Sequence, residues 1–257
     1  MSMRRASLIL PLLALPALIG CGGHDGPPPP PPLAPAALAA VDPHPGVPRA
    51  PLARAIDALF ADKEAGETNA LLVLRGGRIV AERYAEGIGR DTRLTGWSMS
   101  ASVTGAMIGL LVSDGRLRLD ETAPVPAWQR SGDPRGEITL RQLLQMRSGL
   151  RHSESDETHW QSDNVRMLFL DGRDNMAAYA EAQPLEAEPG RAFEYSSAST
   201  VILADLAARS LTESADPKFR RAAIADYLRT RLFEPVGMRS AVPEFDAAGT
   251  FIGSSMI

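Results

Sequence analysis

Apolar positions recur at near-helical spacing in "PLARAIDALFADKEAGE" (51–67), where Leu52, Ile56, Leu59 and Phe60 share one side, and the pattern predicts a surface helix. The spacing then changes. "NALLVLRGGRIVAERYAEG" holds two β-rich runs around Gly76-Gly77, and paired glycines supply the positive φ angles of a tight hairpin turn, so a β-hairpin is expected. "SMSASVTGAMIGLLVSDG" is apolar and small nearly all round, which predicts a buried central helix from about Ser98 or Met99, closed by Asp114-Gly115. "ITLRQLLQMRSGL" predicts a short helix that Thr139 caps and Gly149 ends. Residues 151–175 are rich in Ser, Asp, His and Asn and predict a long loop interrupted by "NVRMLFL". "NMAAYAEA", the strongly apolar "SASTVILADLAARSLT" and the amphipathic "FRRAAIADYLRTRLFEPVGM", ended by Pro235 and Gly237, predict three further helices. The order is thus one hairpin followed by helices, with no further strands expected in "GTFIGSSMI". A lone two-stranded hairpin needs a helix or more strands to pack on.

The N-terminal fifth has a different texture. "MSMRR" is basic, "ASLILPLLALPALIG" is apolar but shorter than a membrane span, and Cys21 follows at once, the layout of an export signal over 1–20. Leu18-Ile19-Gly20-Cys21 resembles a bacterial lipoprotein box, which implies an exported protein anchored to a membrane through a lipid on Cys21; the alternative is an ordinary signal peptide with a chance cysteine. Cys21 is the only cysteine, so no intrachain disulfide forms. Residues 21–48, with six consecutive prolines, predict an extended spacer. Residues 49–257 have the length of one domain or two packed lobes. A net charge of -4 without basic clusters argues against a nucleic-acid partner.

Four blocks in order, "WSMSASVTGAMIGLLVSDGRLRLD", "ITLRQLLQMRSGL", "PGRAFEYSSASTVILADL" and "YLRTRLFEPVGM", resemble the serine β-lactamase-related family, which includes class C β-lactamases, carboxypeptidases and esterases. "SDNVRMLF" and the Trp-Ser-Met start are most similar to its esterase and 6-aminohexanoate-dimer hydrolase branch. The resemblance implies an α/β (α+β) fold, a helical lobe on an antiparallel sheet, of which only the N-terminal hairpin is evident here. It also implies an acyl-enzyme reaction on an ester, amide or peptide-like substrate, with no cofactor or metal.

The family's motifs are unevenly kept. In Ser-x-x-Lys the two side chains share one helix face, and a lysine of lowered pKa takes the serine proton. Ser98 matches the nucleophile, but Ala101 stands at the lysine position, and Lys63 and Lys218 are the only lysines of the chain. Tyr195-Ser196-Ser197 matches the second motif, in which the tyrosine assists proton transfer. The third, Lys-Thr-Gly or His-x-Gly on a late strand, does not occur after Tyr195, and the resemblance implies further strands beyond residue 257. The expectation is therefore an impaired serine hydrolase, with a non-catalytic binding lipoprotein or a decayed fragment as alternatives. Trp97, Ser197 and Trp160 are candidate cleft-lining residues. His152 and His159 with Asp156 raise a metal site or a Ser-His-Asp triad, which sequence order does not exclude. Both histidines fall in the polar stretch and are read as loop residues, with cleft lining an alternative, and no metal-ligand spacing such as His-Glu-x-x-His is present.

Overall fold

The computed structural model describes residues 30–64 and 66–257. The signal segment 1–20 and Cys21 lie outside the described residues. Two compact units divide the chain, one ending at Arg90 and one running from Asp91 to Ile257.

The first unit contains α1 (Pro35–Ala39), α2 (Arg49–Ala61), β1 (Ala70–Arg75) and β2 (Arg78–Tyr84). The hairpin is antiparallel, and Gly76 and Gly77 at its turn have φ of 56° and 76°. Part of the stretch read as a spacer belongs to this unit. The Asp42 N–H donates to the Val80 carbonyl and the Glu82 N–H to the Ala40 carbonyl, both at 2.9 Å, so residues 40–42 flank β2 on the side away from β1. Val41, Ala53, Ile56 and Ala81 form the small core beneath. The apolar side of Leu33, Leu38 and Val41 explains why a Pro- and Ala-rich segment packs here.

The second unit contains α3 (Ser100–Ser113), α4 (Leu140–Leu144), α5 (Asp163–Phe169), α6 (Met176–Glu181), α7 (Ser197–Leu211), α8 (Pro217–Leu228), β3 (Pro243–Phe245) and β4 (Phe251–Met256). Its core gathers Met107, Ile108 and Leu111 of α3, Leu143, Met167, Ile202 and Leu206, Ile224 and Phe251. α7 is buried continuously from Ser197 to Ala208, Asp205 included, in keeping with its strongly apolar sequence. Thr139 and Gln142 form a reciprocal capping box on α4.

One strand pair escaped the sequence. β3 and β4 form an antiparallel pair in the stretch where none was expected. β4 packs against both α3 and α7 and is buried on both faces, so it lacks the alternation that marks a half-exposed strand, and Gly253, Ser254 and Ser255 have little β preference. Gly253 is what allows the close approach. A Cβ there would lie 2.8 Å from Thr104 Oγ1 and 2.8 Å from the Thr200 carbonyl oxygen. Thr104 Oγ1 also donates to the Gly253 carbonyl at 3.0 Å. The second turn of α3 and the first turn of α7 therefore meet at one residue of β4. Among the described residues no helix is long and apolar enough to cross a membrane.

Candidate active site

Ser98 does not sit in α3 proper. It occupies a 3₁₀ turn, Trp97–Met99, that leads into the helix at Ser100. Trp97 has φ of 43°, a left-handed conformation that costs a non-glycine residue about 1 kcal/mol or more and that persists only where its surroundings hold it. Part of that hold comes from β4, because the Gly96 N–H donates to the Met256 carbonyl at 2.8 Å. Gly96 is confined there: a Cβ would meet Ser100 Oγ at 3.2 Å and the Met256 carbonyl at 3.4 Å. The result presents Trp97, Ser98 and Met99 to solvent at the N-terminal end of α3, where the helix dipole favours developing negative charge. α3 is not buried all round as its composition predicts, since it buries Thr104, Met107, Ile108 and Leu111 on one side and exposes Ser102, Ala106, Gly109 and Ser113 on the other.

Ala101 lies half-buried in the first turn of α3. Its methyl group offers no proton acceptor. Lys218, the one lysine of this unit, is exposed on the first turn of α8, and Lys63 is exposed in the other unit.

The second motif is held by a different device. Met146 takes a left-handed φ of 55° just after α4 has ended, and the chain then runs beside residues 184–194. The Gly190 N–H donates to the Arg147 carbonyl and the Glu194 N–H to the Met146 carbonyl, both at 2.8 Å, while the Arg151 N–H donates to the Pro184 carbonyl at 2.8 Å. Gly149, expected to end α4, serves this contact instead. Its φ is 76°, and a Cβ would collide with the Ala187 carbonyl oxygen at 2.2 Å. This ladder delivers Tyr195 to the start of α7 with its ring partly exposed and its hydroxyl free of any hydrogen bond among the described residues.

Thr104 follows Ser98 by six residues and Thr200 follows Tyr195 by five, and these threonines meet at Gly253. Ser98 and Tyr195 thus head two helices that converge on β4, each within about two turns of the common point.

Ser197, a candidate for cleft lining, is buried, and its N–H and hydroxyl both turn inward to Glu154. The Ser197 N–H donates to Glu154 Oε1 at 2.5 Å and the Ser197 hydroxyl to Oε2 at 3.0 Å. His152 Nε2 lies 2.9 Å from Glu154 Oε1 and must be the donor, because an ionised carboxylate only accepts. Burial pushes the Glu154 carboxyl up, but the hydrogen bonds from His152 and Ser197 outweigh it and hold the group below its ordinary value of 4.5. His152 lies in a loop, as its sequence suggests, but its ring is enclosed and paired with this carboxylate; His159 and Asp156 are exposed. Nothing in the sequence singled out Glu154, which lies 43 residues from its partner. Trp160 stands 68% exposed in the short turn before α5.

A recess of about 370 Å³ opens beside the Trp97–Met99 turn, lined by Leu94, Gly96, Met99, Val103, Met238 and Met256, with Arg93 and Ser100 among its walls. Among the described residues no group of three His, Cys, Asp or Glu side chains is arranged to hold a metal ion.

Residues 56–247 match the family described as Beta-lactamase. A 6-aminohexanoate-dimer hydrolase from Paenarthrobacter ureafaciens is 31% identical over 147 residues, covering 53% of this chain and 36% of the relative. Among solved structures, a proposed 6-aminohexanoate-dimer hydrolase from Bacillus anthracis superposes with a TM-score of 0.62 at 22% identity, covering 78% of this chain and 52% of that one. A penicillin-binding protein from Bacillus halodurans gives a TM-score of 0.53 at 21% identity, covering 74% and 56%. The chain thus spans between a third and just over half of the length of these relatives.

Proposed function

Since the chain belongs to the beta-lactamase family and shares its fold, we propose that it is a serine hydrolase in which Ser98 carries the acyl group of an ester or amide, working slowly for want of a base at position 101. The observation that supports this most is the placement of Ser98, exposed in a turn at the head of α3 that Trp97 enters with a left-handed φ and that Gly96 ties to β4. Ser98 Oγ attacks the substrate carbonyl carbon, the alcohol or amine leaves with a proton, and water then releases the acid. Tyr195, heading the neighbouring helix, is the one motif group left to assist the proton. The mainly apolar recess beside Met99 suits an uncharged organic portion of a small substrate, and the amide named in one relative, a 6-aminohexanoate dimer, is of that size class.

The full chain is expected to hydrolyse short p-nitrophenyl esters at a low rate that Ser98→Ala reduces to background. Equal rates for the two proteins would remove Ser98 from the reaction. Ala101 favours a second reading, a binding protein that keeps the cleft without turnover. Substrate analogues would then shift the melting temperature of the wild type while neither protein shows hydrolysis above background.

We also propose export and a lipid anchor on Cys21. Cys21→Ser is expected to move the protein from the membrane pellet to the soluble fraction, and an unchanged distribution would contradict the anchor.

A further inference from the structure

We infer that Glu154 is a positioning residue for Tyr195, fixing the start of α7 and through it the phenol that assists Ser98. The inference rests on the hydrolase reading above.

The Tyr195 side chain forms no hydrogen bond of its own among the described residues and is 42% exposed, so its placement comes from the backbone on either side. On the N-terminal side the Glu194 N–H is tied to the Met146 carbonyl at 2.8 Å, within a ladder of several backbone contacts. On the C-terminal side the Ser196 hydroxyl caps α7 by accepting the Ser199 N–H at 3.1 Å, and Glu154 adds a tie from 43 residues away, accepting both the N–H and the hydroxyl of Ser197. That N–H is one of the donors a helix start leaves unpaired, and a carboxylate placed there also complements the helix dipole. His152, enclosed and donating to Oε1, keeps the carboxylate from rotating away.

The order of the three residues matters. In a reacting triad the imidazole lies between hydroxyl and carboxylate. Here the carboxylate lies between Ser197 and His152, so no imidazole reaches the Ser197 hydroxyl. The network orients and does not react. Two acceptor oxygens serve three donors, and Glu154→Gln removes the negative charge and turns one of those oxygens into a donor, so the charge-assisted ties to Ser197 and His152 weaken and the Ser197 hydroxyl must turn to accept. The body of α7 stays held by its buried Val201–Ala208 face, and the loss falls on the first turn and on Tyr195.

The test is a double-mutant cycle in the full chain carrying Ala101→Lys, which restores the motif base. The second-order rate at which a fluorophosphonate labels Ser98 is measured for that parent, Glu154→Gln, Tyr195→Phe and the pair, each alongside its melting temperature. Glu154→Gln is expected to slow labelling about tenfold to a hundredfold. With Tyr195→Phe already present it should add no further slowing, because its effect runs through the phenol. Multiplying effects, or a fall in melting temperature with labelling unchanged, would overturn the inference while leaving the hydrolase reading intact. Should Glu154→Gln not fold, Ser197→Ala removes one tie, and the same non-additivity, at a few-fold, is required of it. Failure of the parent to be labelled at Ser98 would end the hydrolase reading, and the positioning role with it.

Discussion

Ala101→Lys is expected to raise Ser98-dependent hydrolysis of p-nitrophenyl acetate by about a hundredfold, the lower end of what a positioned general base contributes. Positions 98 and 101 are three apart at the head of α3, the spacing that brings side chains onto one face. Ala101 is half-buried, so a lysine there is partly desolvated, which lowers its pKa and frees its amine to accept a proton. The gain is read as kcat/KM for the wild type, Ala101→Lys and Ala101→Lys with Ser98→Ala. A gain that survives loss of Ser98 would come from the lysine itself, and a folded variant with no gain would mean that the missing base is not what limits the reaction.

The wild type is also expected to lose stability as pH rises from about 4.5 to beyond 7, on account of Glu181. This residue ends α6 and is enclosed, and its Oε1 has no hydrogen-bond partner. The nearest guanidinium nitrogen, Arg209 Nη2, is 3.9 Å away, and Arg209 and Arg220 are both committed to Asp205. Burial first, and then the Asp205 charge, push Glu181 from 4.5 up to about 7. The folded protein therefore holds a proton that the unfolded chain releases near pH 4.5. The stabilisation is full below about 4.5 and gone once pH has passed the folded value. A raise from 4.5 to about 7 corresponds to a loss on the order of 3 kcal/mol.

Glu181→Gln, neutral at every pH, should remove this part of the slope and be the more stable protein at pH 8. Burial also raises Asp246, so a smaller slope of the same sign remains in the variant. Urea unfolding of both proteins at pH 5 and pH 8 measures the difference, and parallel pH dependences would remove Glu181 from the account.

What the sequence revealed depended on how local the cause was. The Gly76-Gly77 hairpin, the Thr139 cap and the buried run of α7 are each dictated by residues within one turn or one helix, and the structure shows all three. The strand β4 was invisible because the two helices that enclose it erase any alternation between polar and apolar positions. Residues 35–42 were misleading for the opposite reason. Their Pro- and Ala-rich composition describes a spacer, while their pairing with β2 depends on residues some forty positions later. At the site, the motif residues Ser98 and Tyr195 were legible one by one. Gly253, where their helices meet, and Glu154, beneath the second helix, were not, since both act across the fold on partners with which they share no local pattern. Glu181 was equally silent: a glutamate at a helix end is ordinarily a solvated one, and only enclosure beside Asp205 makes it otherwise.

The central claim is that Ser98 is the residue that becomes acylated, and the most direct test is the location of a covalent adduct. The full chain is incubated with a fluorophosphonate, and the adduct is mapped by peptide mass spectrometry. The account predicts one phosphonyl group, carried by Ser98 at the expense of fluoride and absent from Ser98→Ala. An adduct on Ser100, Ser197 or any other hydroxyl, or none in either the wild type or Ala101→Lys, would contradict it.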